Sequence, residues 1–326
     1  MPTRITLYKT GLIALLLSQM LFSFFFPPCA MARKDSIELG RKTPFQWHKT
    51  MVFFSWGYNW TKFSNTDVTI NLPDGCYTIH EVQAYDRPST ELKTYFDLPN
   101  WSIPQYNVSI GFLVPMANER TRIGLAIEQD HMKWVADFSG NVSYKISGFY
   151  TKNVYIKTAD GNQQRVDFEY VKQHGDMTFV RMYEHTNGYN FPHLSLVADH
   201  QLFGKGSNRL KCTFSAGIGL GMMVPKTEFN QQVDSASVPV RVGIDSPFHV
   251  AGWGVGIQMG LGLTYQPRNS RFSWSLLTQQ KIGFSRLSQA LLNGKGSGTA
   301  SDTGVWWWQD IPLRLTIQFG LRRVKK

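Results

Sequence analysis

The sequence predicts an all-β chain: an antiparallel up-and-down barrel of eight strands, with ten or twelve as alternative counts, that crosses a membrane and carries long β-containing loops on one side. Three observations lead there. Lys211 to Val224 (KCTFSAGIGLGMMV) and Val250 to Tyr265 (VAGWGVGIQMGLGLTY) both alternate residue by residue between an apolar face and a small or polar face. Such strands exceed the usual five or six residues of a globular protein, and suit a wall with hydrocarbon on one side and a polar interior on the other. The links between strand-like segments alternate short and long, as in barrels with tight turns at one rim and loops at the other. The N-terminus reads as an export leader.

That leader comes first. Arg4 and Lys9 precede an uncharged apolar run from Gly11 to Phe26, then Pro27 and Pro28, then the small-residue site Ala30-Met31-Ala32. This pattern predicts a signal peptide over residues 1–32, cleaved after Ala32. An uncleaved anchor is the alternative, but the run falls short of the roughly 20 apolar residues a helical span needs. Cys29 does not make a lipidation site, because Pro28 stands where a small residue is required. No later run is long and apolar enough for a helix, so any crossing has to be made by strands.

The remainder divides into a periplasmic tail (33–49), the barrel (50–322) and a basic periplasmic tail (323–326). The first strand is Met51 to Trp60, with Val52, Phe54, Trp56, Tyr58 and Trp60 on one face. The second is Gln105 to Val114 and the third Thr121 to Asp130, with Ile123, Leu125 and Ile127 outward. The fourth is Pro192 to Phe203, the fifth Arg209 to Val224, the sixth Val250 to Tyr265, the seventh Arg271 to Phe284 and the eighth Ile311 to Leu321. Thr278 and Gln280 fall on the outward face of the seventh, which predicts a bulge near Leu277. Short links lie at Pro115 to Arg120, Gly204 to Asn208 and Gln266 to Ser270, and an even strand count puts both termini on the periplasmic side. Two long loops hold hairpin signals: Asp74-Gly75 between Val68 to Leu72 and Tyr77 to Val82, and Asp160-Gly161 between Val154 to Lys157 and Arg165 to Tyr170.

Composition narrows the partners. The formal charge of +11 falls to +9 once the leader, with Arg4 and Lys9 and no acid, is removed. This balance favours anionic outer-membrane lipid or lipopolysaccharide, and export excludes nucleic acid. Cys76 sits in a polar, turn-rich stretch and Cys212 on the apolar face of a strand, so no disulfide is expected between them. Aromatics sort to strand ends: Trp56, Tyr58, Trp60, Tyr106, Trp134, Phe284 and Trp306 to Trp308 at the outer end, Phe112, Tyr265, Phe272, Trp274 and Phe319 at the periplasmic end.

With the terminal strand alternating Leu313, Leu315, Ile317 and Phe319, the chain resembles the small bacterial outer-membrane barrels of the OmpA, OmpX and OmpW type. It departs from them in its last residues, where Gly320 to Lys326, rich in Arg322, Arg323, Lys325 and Lys326, replaces a closing aromatic. The segments IPQYNVSIGF, IEQDHMKWV and YEHTNGYN resemble those of an uncharacterised exported barrel family. The resemblance implies a family without implying an activity; the expected role is that of a non-enzymatic barrel whose loops serve surface interaction or envelope integrity, with an extracellular or envelope protein among its partners.

An eight-stranded barrel is just wide enough for side chains to fill it. Inward positions near the outer mouth include Glu128, Asp130, His193, Ser195, Lys281 and Arg314, and Arg122, Asp199 and Lys211 lie nearer the periplasmic end. Charges of both signs at each level predict a paired plug, with Asp199 and Lys211 as neighbours across the tight turn. Arg122, Asp199, Lys211, Lys281 and Arg314 are the lumen's ligand candidates. An enzymatic alternative uses Ser195 as nucleophile, His193 as base and Asp130 or Glu128 as orienting acid. Their His-x-Ser spacing resembles that of lipid A deacylase barrels, though an inward direction is wrong for attacking a lipid outside the wall. A third alternative, a carrier for a small apolar solute, uses the inward glycines Gly217, Gly219, Gly221, Gly252, Gly254, Gly256, Gly260 and Gly262 as pocket lining. More often such glycines relieve crowding against bulky partners, here Met51, Phe53, Leu113 and Arg314. His131, His185, His193 and Asp130 lack a metal site's tight ligand spacing, so no metal or other cofactor is expected.

Overall fold

The computed structural model describes residues 45–321 except 73–74, 90, 96, 98–103, 139–143, 151–165, 173–178, 205–208, 234–239, 269 and 294–296. The leader and its cleavage site, most of the N-terminal tail, the Asp160-Gly161 turn and the basic tail lie outside them. The described chain is almost wholly extended. In order, the strands are β1 (Met51–Tyr58), β2 (Thr61–Phe63), β3 (Thr66–Leu72), β4 (Gly75–Val82), β5 (Ala84–Tyr85), β6 (Tyr106–Pro115), β7 (Thr121–Ala136), β8 (Tyr144–Tyr150) and β9 (Val166–Lys172). There follow β10 (Phe179–Phe203), β11 (Leu210–Pro225), β12 (Thr227–Val233), β13 (Val240–Ser246), β14 (Gly252–Tyr265), β15 (Phe272–Asn293), β16 (Ser297–Asp310) and β17 (Leu313–Gly320).

Eight of these close a ring. β1 pairs with β6, β6 with β7, β7 with β10, β10 with β11, β11 with β14, β14 with β15, β15 with β17, and β17 returns to β1, every pairing antiparallel. Closure leaves no open edge, so each wall strand has a neighbour on both sides for its peptide groups. The full sheet nevertheless has seventeen strands among the described residues, not eight, ten or twelve. The excess lies in the long loops, whose hairpins continue the ladders above the ring: β16 pairs with β15, β2 and β3, β3 with β4, β4 with β8, β8 with β9, β10 with β12, and β12 with β13. Hence β10 runs 25 residues and β15 runs 22, far past the predicted boundaries at Pro192 and Phe284.

Three interruptions mark the passage from ring to extension. β1 stops before Asn59 and Trp60; β10 slips between His185 and Tyr189, with Gly188 at a φ of +145; and Pro312, with no N–H to give, separates β16 from β17. The seventh predicted strand holds no bulge near Leu277. Leu277 stays opposite both Gly262 and Arg314, and Thr278 opposite Leu261 and Leu313, so Thr278 and Gln280 remain on the outer face just where β15 changes partner from β17 to β16. The hairpin between Val68 to Leu72 and Tyr77 to Val82 forms from β3 and β4, and β9 pairs with β8, residues 144–150, while the expected partner 154–157 lies outside the described residues.

The two storeys have opposite polarity, and β7 carries both without interruption. In the ring its outward residues Leu125 and Ile127 are exposed, Ile127 at 66%, while Glu128 and Asp130 are buried inside. Past Asp130 the inward residues become Met132, Trp134 and Ala136, all buried, and the outward ones include His131 and Lys133. The ring's exterior is largely apolar, with Phe54, Ile110, Leu196, Leu220, Leu261, Trp274 and Leu315 all exposed and Thr278 and Gln280 as polar exceptions. The extension encloses an apolar core of Val68, Ile70, Tyr77, Ile79, Trp134, Tyr183, Phe229, Ile244 and Trp306, under an exterior that presents Lys62, Asp67, Lys145, Asn230, Asp245 and Thr303. Trp134, Trp306 and Trp308 were expected in an outer aromatic belt; they point inward because alternation in the extension assigns them to its core. Trp60, Trp253 and Trp307 are the exposed tryptophans at that level.

Candidate functional site: a charged network in the lumen

The period-two walls aim side chains from five ring strands at one point. Glu128 and Asp130 come from β7, His193 and Ser195 from β10, Gln258 from β14, Lys281 from β15 and Arg314 from β17, and all are buried. Lys281 Nζ donates to Asp130 Oδ1 at 2.7 Å and Oδ2 at 3.0 Å, and stands 3.8 Å from Glu128. Arg314 donates to Glu128 Oε1 at 3.3 Å and to Gln258 Oε1 at 3.2 Å. Glu128 Oε2 also accepts from Ser195 at 2.9 Å and from Gln258 Nε2 at 3.1 Å. With this many donors around it the carboxylate is held as a bridge among three strands. A buried ion network of this kind rarely adds net stability over an apolar core, but removing one member strands the rest.

Two parts of the network were not singled out in the sequence. Asp310, fully buried at the end of β16, accepts from Asn59 at 3.1 Å, from Thr61 at 3.1 Å and from Asn107 at 3.1 Å. Asn107 also donates to Asp130, joining the two carboxylates. Their signal was parity: Asn107 stands in phase with inward Ser109 and Asp310 with inward Arg314, although Asp310 lies just before the eighth predicted strand, which starts at Ile311.

Lower in the lumen, Arg122 binds Asp199 through both Nε, at 2.7 Å, and a terminal nitrogen, and reaches Gln318 Oε1 at 3.1 Å. Asp199 therefore pairs with Arg122 rather than with Lys211, which donates to Gln266 at 3.3 Å. Adjacency in register explains this: Asp199 faces Arg122 directly across β10 and β7, whereas it faces Ser215, not Lys211, across the tight turn. Between the two charged levels lies a cavity of about 70 Å³, bordered by Ser55, Ser109, Thr213, Ser215, Ser275 and Thr316 as well as Gln279 and Arg314. Phe53, Leu113, Val197, Ala216 and Leu277 line it too, so most of its exposed lining is apolar, and among the described residues Gln279 Oε1 and Arg314 Nε have no protein partner.

The glycines expected to hollow a pocket face filled space. A Cβ on Gly219 would come within 2.4 Å of the His193 ring, one on Gly254 within 2.9 Å of Phe191, and one on Gly217 within 2.8 Å of Gln258. Gly256 is roomier, 3.4 Å from Trp308, and Gly252 would meet the Arg286 carbonyl at 1.9 Å. These are close approaches that only glycine allows, made for Phe191, His193, Gln258 and Trp308 rather than for the expected Met51, Phe53, Leu113 and Arg314.

The candidate nucleophile and base do not address each other among the described residues. Ser195 donates to Glu128, and His193 points Nε2 at the same carboxylate oxygen at 2.9 Å and Nδ1 at the Phe191 carbonyl at 2.8 Å. Both imidazole nitrogens thus face oxygen atoms, and among the described residues no hydrogen bond joins the ring to the Ser195 hydroxyl. His185 lies apart, in the extension core against Trp134, Tyr183, Tyr189 and Trp306, where burial holds its pKa down at about 3. No three His, Cys, Asp or Glu side chains among the described residues gather to hold a metal. Cys76 and Cys212 are free thiols.

No family model matches this chain, and no curated protein matches it. Among solved structures it is similar to a FadL homologue of Pseudomonas aeruginosa, at 9% identity over 84% of this chain and 91% of that one, with a TM-score of 0.20. It is also similar to the TodX monoaromatic hydrocarbon channel in a deletion mutant, at 6% identity over 84% and 91% of the two chains with a TM-score of 0.16. A third is the InvG secretin-domain β-barrel of the Salmonella injectisome, at 6% identity over 84% and 63% with a TM-score of 0.13. Scores of this size carry no weight for activity, and the reading rests on the chain's own ladders and surfaces.

Proposed function

We propose that this chain is a closed, non-enzymatic barrel of the bacterial outer membrane, with both termini periplasmic, that holds a rigid β-structured extension outside the bilayer for contact with the exterior. The observation that carries it is the inversion along β7. The ring has an apolar exterior and a charged interior, the arrangement hydrocarbon demands, and the extension has the reverse, the arrangement water demands. Two further features support a lumen that conducts nothing: the network around Glu128, and the apolar core of the extension. The absence of a Ser195–His193 hydrogen bond among the described residues supports the non-enzymatic part. Purified mature protein in a planar lipid bilayer is expected to give no unitary conductance; stable pores would overturn the closed lumen. In cells, exchange of Ser195 for Ala is expected to leave the lipid A mass spectrum unchanged, and a loss of deacylated species would establish the enzymatic alternative.

A further inference from the structure

We propose that the rim of the ring opposite the extension is a docking surface for anionic phospholipid headgroups, an inference that rests on the ring spanning a membrane. The tight links place arginines there by backbone, not by chance of a loose loop. The Arg120 carbonyl accepts from Gln201 N–H at 2.9 Å, the Arg209 carbonyl from Gln266 at 2.7 Å and the Arg271 carbonyl from Gly320 at 2.9 Å, each closing the last rung of a ladder. Arg268 belongs to the same link as Arg271, and Arg120, Arg209 and Arg268 are exposed. The Arg271 guanidinium lies 6.0 Å from the Phe319 ring, which packs on outward-facing Phe272. Between these cations stand apolar side chains that water does not favour: Phe203 is 72% exposed, Trp47 62%, and Leu210 and Tyr265 are exposed too.

The rim is thus a girdle in which guanidinium groups alternate with aromatic and aliphatic side chains, continuous with the apolar band of the wall. That is the chemistry of a boundary between acyl chains and phosphate headgroups, with the long cationic side chains reaching outward from the edge of the apolar band. The acid at this rim, Glu119, is already bound to Lys49 at 2.6 Å. The upper exterior lacks this bias, since Lys62, Lys145 and Arg286 there are mixed with Asp67, Glu81 and Asp245.

The test follows insertion of the full mature chain from urea into vesicles of phosphatidylcholine alone, or with about one third phosphatidylglycerol, read by co-flotation and heat-modifiable gel mobility. Wild type is expected to insert several-fold faster with phosphatidylglycerol, the advantage fading as salt screens it. The combined substitutions Arg120→Gln, Arg209→Gln, Arg268→Gln and Arg271→Gln are expected to remove the advantage. Lys62→Gln, Lys145→Gln and Arg286→Gln together are expected to keep it. Should the fourfold variant not fold, Arg120→Gln and Arg268→Gln singly are each expected to lose part of it. An equal advantage in wild type and rim variants, or none in wild type, overturns the proposal while leaving the barrel intact. Failure to float with either vesicle overturns the membrane reading itself.

Discussion

The lower and upper halves of β7 are built by one backbone rule and read in opposite directions. From Ile123 to Ile127 the outward side chains are apolar while the inward face carries the charges of Arg122, Glu128 and Asp130; past Asp130 the inward Met132, Trp134 and Ala136 are apolar and the outward His131 and Lys133 polar, while the alternation of direction never slips. What changes is the surroundings each face must match. The same sheet therefore records where hydrocarbon ends and water begins, and it does so near Asp130, beside the ladder breaks at Pro312 and between His185 and Tyr189.

That difference can be broken from either side, and the largest effect is expected in the ring. Exchanging Glu128 for Ala leaves Arg314, Lys281 and His193 short of an acceptor and is expected to cost about 3–5 kcal/mol, measured by urea unfolding in detergent micelles. In the extension, Trp134→Ala empties a fully buried site and is expected to cost about 3–5 kcal/mol locally. Protease cleavage of the hairpins is expected to speed up while the ring keeps its heat-modifiable mobility. If both variants lost ring and extension together, the two storeys would be one cooperative unit.

Outer-face substitutions sharpen the contrast. Leu220→Arg in the ring is expected to cost about 2–4 kcal/mol in a bilayer, whereas Thr303→Arg on the extension is expected to stay within about 0.5 kcal/mol. Comparable costs at both positions would deny that the faces meet different solvents.

Acid sensitivity of the extension tests the same contrast from another side. His185 titrates at about 3 in the fold, against an ordinary 6.5, because burial disfavours the imidazolium. Its contribution to stability is complete above pH 6.5 and is lost as pH falls through the window from 6.5 to 3, by about 1.4 kcal/mol per unit. Tryptophan fluorescence of thermally unfolding protein at a series of pH values is expected to show this slope in wild type and a flatter one in His185→Phe.

Much of the ring was legible in the sequence because hydrocarbon imposes a single phase: apolar residues two apart, all on the outward side. Each of the eight ring strands overlaps one predicted segment, although five of them run past its bounds and the whole sheet has seventeen strands among the described residues. Legibility failed where that phase reverses. The third strand was ended at Asp130 and the fourth begun at Pro192, whereas β7 and β10 continue beyond those points with apolar residues such as Met132 and Trp134 turned inward, so the extension was read as loops with hairpins. The lumen residues were legible one at a time by parity, but their pairing was not. Asp199 joined Arg122 rather than Lys211, and Asp310 entered the network, because partners are chosen by cross-strand register, which separate segments do not encode.

The most direct measurement places a fluorophore through single cysteines at Ile127, Leu220 or Leu315 on the ring and at Lys145 or Thr303 on the extension, in a background of Cys76→Ser and Cys212→Ala. The reconstituted protein is then titrated with brominated lipid and with iodide. Strong quenching of the ring positions by lipid bromine and of the extension positions by iodide alone is the predicted result. Iodide quenching at all five positions, lipid bromine reaching none, would contradict the account.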